Sequence, residues 1–102
     1  MGRPEFVVLY RWRLKPGHEQ QFVDAWIEAT KTLRARGSRG SRLHRGDDDI
    51  WYGYAQWPSA EARQAAFSSP SEADDAGDRM DDAVAERFPE VVLEVVSDYL
   101  ID

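Results

Sequence analysis

Residues 5–14 read EFVVLYRWRL, and the way their apolar side chains alternate decides the fold. Successive residues of a strand point to opposite faces of a sheet. Phe6, Val8, Tyr10 and Trp12 therefore share one face, while Val7 and Leu9 take the other, ahead of Arg11 and Arg13. A strand with one solvated face would alternate apolar with polar; this one starts apolar on both. Lys15-Pro16-Gly17 supplies turn chemistry at its end.

Beyond the turn the period changes. From His18 to about Arg36, Phe22, Ala25, Trp26, Ala29 and Leu33 recur at the spacing that lays an apolar stripe along one side of a helix. Gly37 is placed to close that helix in the left-handed conformation. Arg39 to Arg45 reads as a short strand, Gly46-Asp47-Asp48-Asp49 as a hairpin turn and Ile50 to Trp57 as the next strand. In it, Trp51, Gly53, Ala55 and Trp57 alternate against Ile50, Tyr52, Tyr54 and Gln56. Ser59 is a good N-cap for a helix over Ala60 to Phe67, which Ser68-Ser69-Pro70 breaks. Ser71 with Asp74 resembles a capping box for a further helix, with Ala73, Ala76 or Gly77, Met80 and Val84 as its buried stripe. Phe88-Pro89 is expected to end that helix, and Glu90 to Leu100 to form the last strand, again apolar on both parities.

The predicted order is β-α-β-β-α-β, the ferredoxin-like α+β arrangement, with helices on one face of a four-stranded antiparallel sheet. At 102 residues there is room for one domain, taken as 1–102. Helices cover one face only, and an open apolar sheet face is an association site. A second copy packed face to face, giving a homodimer, is the expected cover.

Composition narrows the functional classes. Apolar residues make up 42% and aromatics 12%, which suits a packed core. The chain has no Cys, which removes thiolate catalysis and Cys-ligated metals. The longest apolar run, Phe6 to Tyr10, is far too short to span a membrane, and a cytoplasmic protein with no membrane partner is expected. Residues 1–45 hold ten Lys/Arg against four Asp/Glu, and residues 46–102 three against fifteen. With a net charge of −6 the chain repels phosphate backbones, so no nucleic acid partner is expected despite the basic run from Lys31 to Arg45.

Several stretches together resemble the antibiotic biosynthesis monooxygenase (ABM) family of dimeric α+β barrels. They are Tyr10-Arg11-Trp12-Arg13-Leu14, the Lys15-Pro16-Gly17-His18-Glu19 turn leading to Phe22 and Trp26, and Gly40 to Arg45. Trp51-Tyr52-Gly53-Tyr54-Ala55-Gln56-Trp57-Pro58-Ser59 and the Val91 to Leu100 strand complete the set. The resemblance implies a cofactor-independent monooxygenase, needing no flavin, haem or metal, that oxidises an aromatic or polyketide-type small molecule with O2. The deprotonated substrate then supplies the electron, and the protein supplies a dry aromatic pocket with hydrogen-bond donors. The scaffold hosts several chemistries, so a non-catalytic small-molecule-binding or structural dimer of the same fold is the alternative, and isomerase or lyase action a third.

The resemblance makes Trp57 the leading site residue, its indole N–H able to hold a substrate oxygen; the alternative is a core aromatic anchoring the turn. Gly53 and Ala55 share its face and would leave room for a cavity, or for close helix packing. Phe22, Trp26 and Phe67 would form the helical wall and Trp12 the far wall, unless they are plain core. His44 is a candidate general base, and Arg63 a partner for a phenolate; both would otherwise be solvated. The haem-degrading branch of the superfamily uses an Asn on the first strand and a His in the second helical region. This chain has no Asn at all and no His in residues 59–88, which argues against haem. Asp74, Asp75, Asp78, Asp81 and Asp82 read as a solvated face, not a metal site.

Overall fold

The computed structural model describes residues 6–68 and 72–99. In chain order the elements are β1 (Phe6–Leu14), α1 (Glu19–Ala35), β2 (Gly40–Arg45), β3 (Trp51–Trp57), α2 (Ala60–Ser68), α3 (Glu72–Asp82), β4 (Val84–Arg87) and β5 (Val91–Leu93). The strands form one antiparallel sheet in the order β2-β3-β1-β4, with β5 also on β1. This is the α+β, ferredoxin-like fold, with the fourth strand position shared by two short strands.

Register sorts the faces. β1 pairs with β3 so that Phe6, Val8, Tyr10 and Trp12 stand opposite Trp57, Ala55, Gly53 and Trp51. Val8, Trp12, Leu14, Ala55 and Trp57 are buried on this face together with Phe22 and Ala25 of α1 and Ala66 of α2. Trp12 meets Phe22 edge to face at 4.9 Å between centroids, and Phe22 meets Trp51 at 6.2 Å. The opposite face carries Val7, Leu9, Tyr52 and Tyr54. It is less open than its residues suggest, because Val7 is only 2% exposed and the tyrosines are half-buried.

Local chemistry sets the element ends. Gly37 adopts φ +114 after α1, and the Gly37 and Ser38 N–H groups donate to the Arg34 and Leu33 carbonyls, closing the last turn as expected. Ser59 caps α2 by accepting the Ala62 N–H at 3.0 Å. Asp49, at φ 64, turns the chain between β2 and β3.

The second half departs from expectation. α3 stops at Asp82 instead of running to Phe88, and Val84, expected on a helical stripe, lies in β4. The edge of β1 wins over local helix propensity there. Lys15 N–H donates to the Ala83 carbonyl at 2.8 Å and Phe88 N–H to the Arg11 carbonyl at 3.1 Å, drawing 83–88 into the ladder. Pro89 has no N–H to continue it, so pairing lapses and resumes only over Val91–Leu93. Val95 and Val96, expected in the last strand, lie outside it at 37% and 90% exposed. Glu5, the Ser71 cap, the Ala73 and Asp74 side chains and Leu100 lie outside the described residues.

Gly53 is required by packing. A Cβ there would sit 2.8 and 2.9 Å from Cη2 and Cζ3 of Trp12, whose ring is locked against Phe22. Gly53→Ala should therefore destabilise the protein by about 1–3 kcal/mol in urea denaturation, the range for an overpacked core. An unchanged midpoint would mean that the Trp12 ring can yield.

Candidate functional site

Between the helices and the buried face of the sheet lies a cavity of about 730 Å³, within the size range of small-molecule sites. Tyr10, Trp12, Gly53, Ala55 and Trp57 contribute from the sheet. Trp26, Ala29 and Leu33 come from α1, Arg63, Ala66 and Phe67 from α2, and Met80 from α3. Polar lining comes from Thr30, Arg36, Ser41, Asp78, Asp81 and Arg87. Arg36 is occupied in part by donating to the Ala66 carbonyl at 2.8 Å, and Arg87 pairs with Asp81.

Of the residues singled out from the sequence, the cavity brings together Trp12, Trp26, Gly53, Ala55, Trp57, Arg63 and Phe67. Phe22 is not on its surface; it is fully buried behind Trp12 and Trp51. His44 is exposed, stands opposite Tyr52 on β3, and so belongs to the other face of the sheet. His18 precedes α1, its Nδ1 3.3 Å from the Pro16 carbonyl. Neither histidine reaches the cavity. Among the described residues, no three His, Asp or Glu side chains converge as a metal-ligand set.

Trp57 is 1% exposed and lies 5.9 Å from Phe67 between ring centroids. Its indole N–H is buried without a hydrogen-bond partner. A buried donor left unpaired costs about 1–3 kcal/mol.

Tyr10 was not singled out from the sequence, although its parity with Trp12 places it on this face. Its hydroxyl accepts two hydrogen bonds from Arg63, from Nε at 3.1 Å and Nη2 at 2.8 Å. Nη2 also donates to Oε1 of Glu90 at 2.9 Å. The guanidinium lies over the Tyr10 and Phe67 rings, 5.6 and 5.3 Å from their centroids. Burial opposes the charge on Arg63, but its bonds to Tyr10 and Glu90 outweigh that and hold its pKa above the ordinary value. Burial also raises the Tyr10 phenol above its usual range; the Arg63 bond and charge pull it back only partly, and the Glu90 carboxylate adds to the rise. Tyr10 is thus a neutral phenol at physiological pH.

The fold and the site now stand beside known proteins. Residues 5–74 match the profile of the antibiotic biosynthesis monooxygenases. The chain belongs to that family. Among solved structures, SnoaB, a cofactor-independent oxygenase from Streptomyces nogalater, superposes with a TM-score of 0.80 at 13% identity, covering 95% of this chain and 98% of SnoaB. A Chloroflexus aurantiacus protein provisionally named an antibiotic biosynthesis monooxygenase gives 0.78 at 17% identity, over 95% and 98% of the two chains. A conserved protein of Methanosarcina mazei gives 0.75 at 12% identity, over 89% and 92%. At these identities the likeness is one of fold. No curated protein matches the sequence significantly.

Within this ABM-family chain, the Tyr10 shift has a measurable consequence. A folded-state pKa above the unfolded value of about 10 gives stability that is complete below that value and is lost as pH rises through the folded pKa. The difference in alkaline absorbance between wild type and Tyr10→Phe should show an ionisation above that of free tyrosine. Arg63→Gln, which removes the lowering influence, should push it higher still. Ionisation at or below the free value would contradict this account.

Proposed function

We propose that this ABM-family protein is a cofactor-independent monooxygenase that oxidises an aromatic or polyketide-type small molecule with O2. The observation that carries the reading is the aromatic-lined cavity with Trp57, whose buried N–H is unpartnered, in its wall. SnoaB, which shares the fold, is itself a cofactor-independent oxygenase. A methylene between aromatic rings, once deprotonated, can reduce O2 itself: CH2 plus O2 gives C=O plus water, with both oxygen atoms and both hydrogens accounted for. The chain's part is to hold the ring system against Trp12, Trp26 and Phe67, exclude water, and donate from Trp57 to oxygen as charge develops there. Arg63 acts at the same cavity by holding the Tyr10 phenol in place. His44, on the far face, takes no direct part.

The absence of either histidine from the cavity favours a second reading, a dimer that binds the same molecules without turning them over. Turnover separates the two. With O2 and an anthrone, the wild-type protein should form the quinone faster than buffer, and Trp57→Phe should slow it about tenfold or more, on the scale of one lost oxyanion donor. Wild-type rates equal to buffer across a panel of anthrones and hydroquinones would sink the oxygenase reading.

The working unit proposed is a homodimer. Val92, Leu93, Val95, Val96 and Tyr99 lie exposed along one segment, and apolar side chains grouped in this way suit an association site. Light scattering should give twice the 11.7 kDa chain mass; a single chain mass would refute the dimer.

A further inference from the structure

The hydrogen bonds around Tyr10 have a direction. Its oxygen already accepts from Nε and Nη2 of Arg63, so its capacity as an acceptor is filled. Its own proton has no acceptor among the described residues, and the side chain lines the cavity. Arg63 is fixed in turn by Glu90, across 27 residues of sequence. A phenol held in this way can give a hydrogen bond but not take one.

We propose that Tyr10 is the donor by which the cavity selects its ligand, favouring aromatic molecules that present a carbonyl or deprotonated oxygen over those that present only a hydroxyl proton or no oxygen. Arg63 is a positioning residue in this scheme, its planar fork aiming the phenol, and Glu90 offsets its charge so that the selecting group is a neutral donor and not a cation. The inference rests on the reading that the cavity takes an aromatic molecule, but not on turnover. The raised pKa of Tyr10 agrees with it, since the proton stays on the phenol at neutral pH.

The test is equilibrium binding, followed by tryptophan fluorescence, of two probes with the same ring frame. Anthraquinone-2-sulfonate carries carbonyl acceptors, and anthracene-2-sulfonate carries none. The wild type should prefer the quinone by roughly fivefold to tenfold, the scale of one net hydrogen bond. Tyr10→Phe should abolish that ratio while leaving anthracene-2-sulfonate affinity unchanged. Arg63→Lys, which keeps the charge but loses the fork, should also abolish it, and Glu90→Gln should reduce it. A purely structural role would instead weaken both probes alike. The carbonyl stretch of the quinone bound to wild type should move to lower frequency, a readout that needs no variant to fold.

Equal affinity of the wild type for the two probes, an unshifted carbonyl stretch, or a ratio retained in Tyr10→Phe would each overturn the proposal. Failure of the wild type to bind either probe would overturn it together with the aromatic reading of the cavity. A clear quinone preference without any oxidation of anthrones would sink the oxygenase alone and leave the donor role standing.

Discussion

The Trp12 indole lies across the backbone of Gly53 with no space for a side chain between them, and the arrangement of the whole helix-facing layer depends on that contact. It fixes which residues of β1 and β3 stand opposite one another. A slip of β1 by one residue would turn each of its side chains to the other face, carrying Trp12 out of the core and Leu9 into it. With Trp12 seated, Phe22 packs on its edge and anchors α1. Tyr10 stacks beside it at 5.8 Å, its hydroxyl in reach of Arg63. The cavity is what remains where the large rings stop and Ala55 and Ala66 leave volume unfilled.

Electrostatics at that cavity are arranged so that no net charge is buried there. Arg63 is partly withdrawn from water, which is costly for an unpaired cation. The phenol on one side and the Glu90 carboxylate on the other hold it. The carboxylate is 44% exposed, so the pair remains partly hydrated and contributes modestly to stability. Its larger effect is geometric, because the Nε/Nη2 edge of the guanidinium is held by the phenol and the carboxylate together.

Much of this was written into local sequence pattern. The stripe Phe22, Ala25, Trp26, Ala29 and Leu33 specified α1, and Gly37 and Ser59 marked helix ends through backbone and side-chain chemistry that acts over a few residues. Strand parity put Trp12, Gly53, Ala55 and Trp57 on one face, and it also placed His44 on the other once Leu43 is matched with Gly53. Of the last strand position, Val91–Leu93 was legible, whereas β4 was hidden because Met80 and Val84 continue a helical spacing and Ala85, Glu86 and Arg87 are good helix formers. Only the vacant edge of β1, a tertiary fact, turns them into strand. The Tyr10–Arg63–Glu90 array was hidden for the same reason. Its members are separated by 53 and 27 positions and meet through topology, with no periodic signal between them.

The division of the last strand position at Pro89 has a consequence for how copies of this chain can associate. A long, regular outer strand presents an unbroken row of backbone donors and acceptors, which invites another chain to extend the sheet without limit. Here that row is cut into β4, with four residues, and β5, with three. A proline stands between them, and the ladder shifts register at Arg13/Leu14. An incoming strand finds no continuous template along this border. Lateral, open-ended sheet growth is blunted at this side of the molecule, which leaves the faces of the sheet to the closed dimer proposed above.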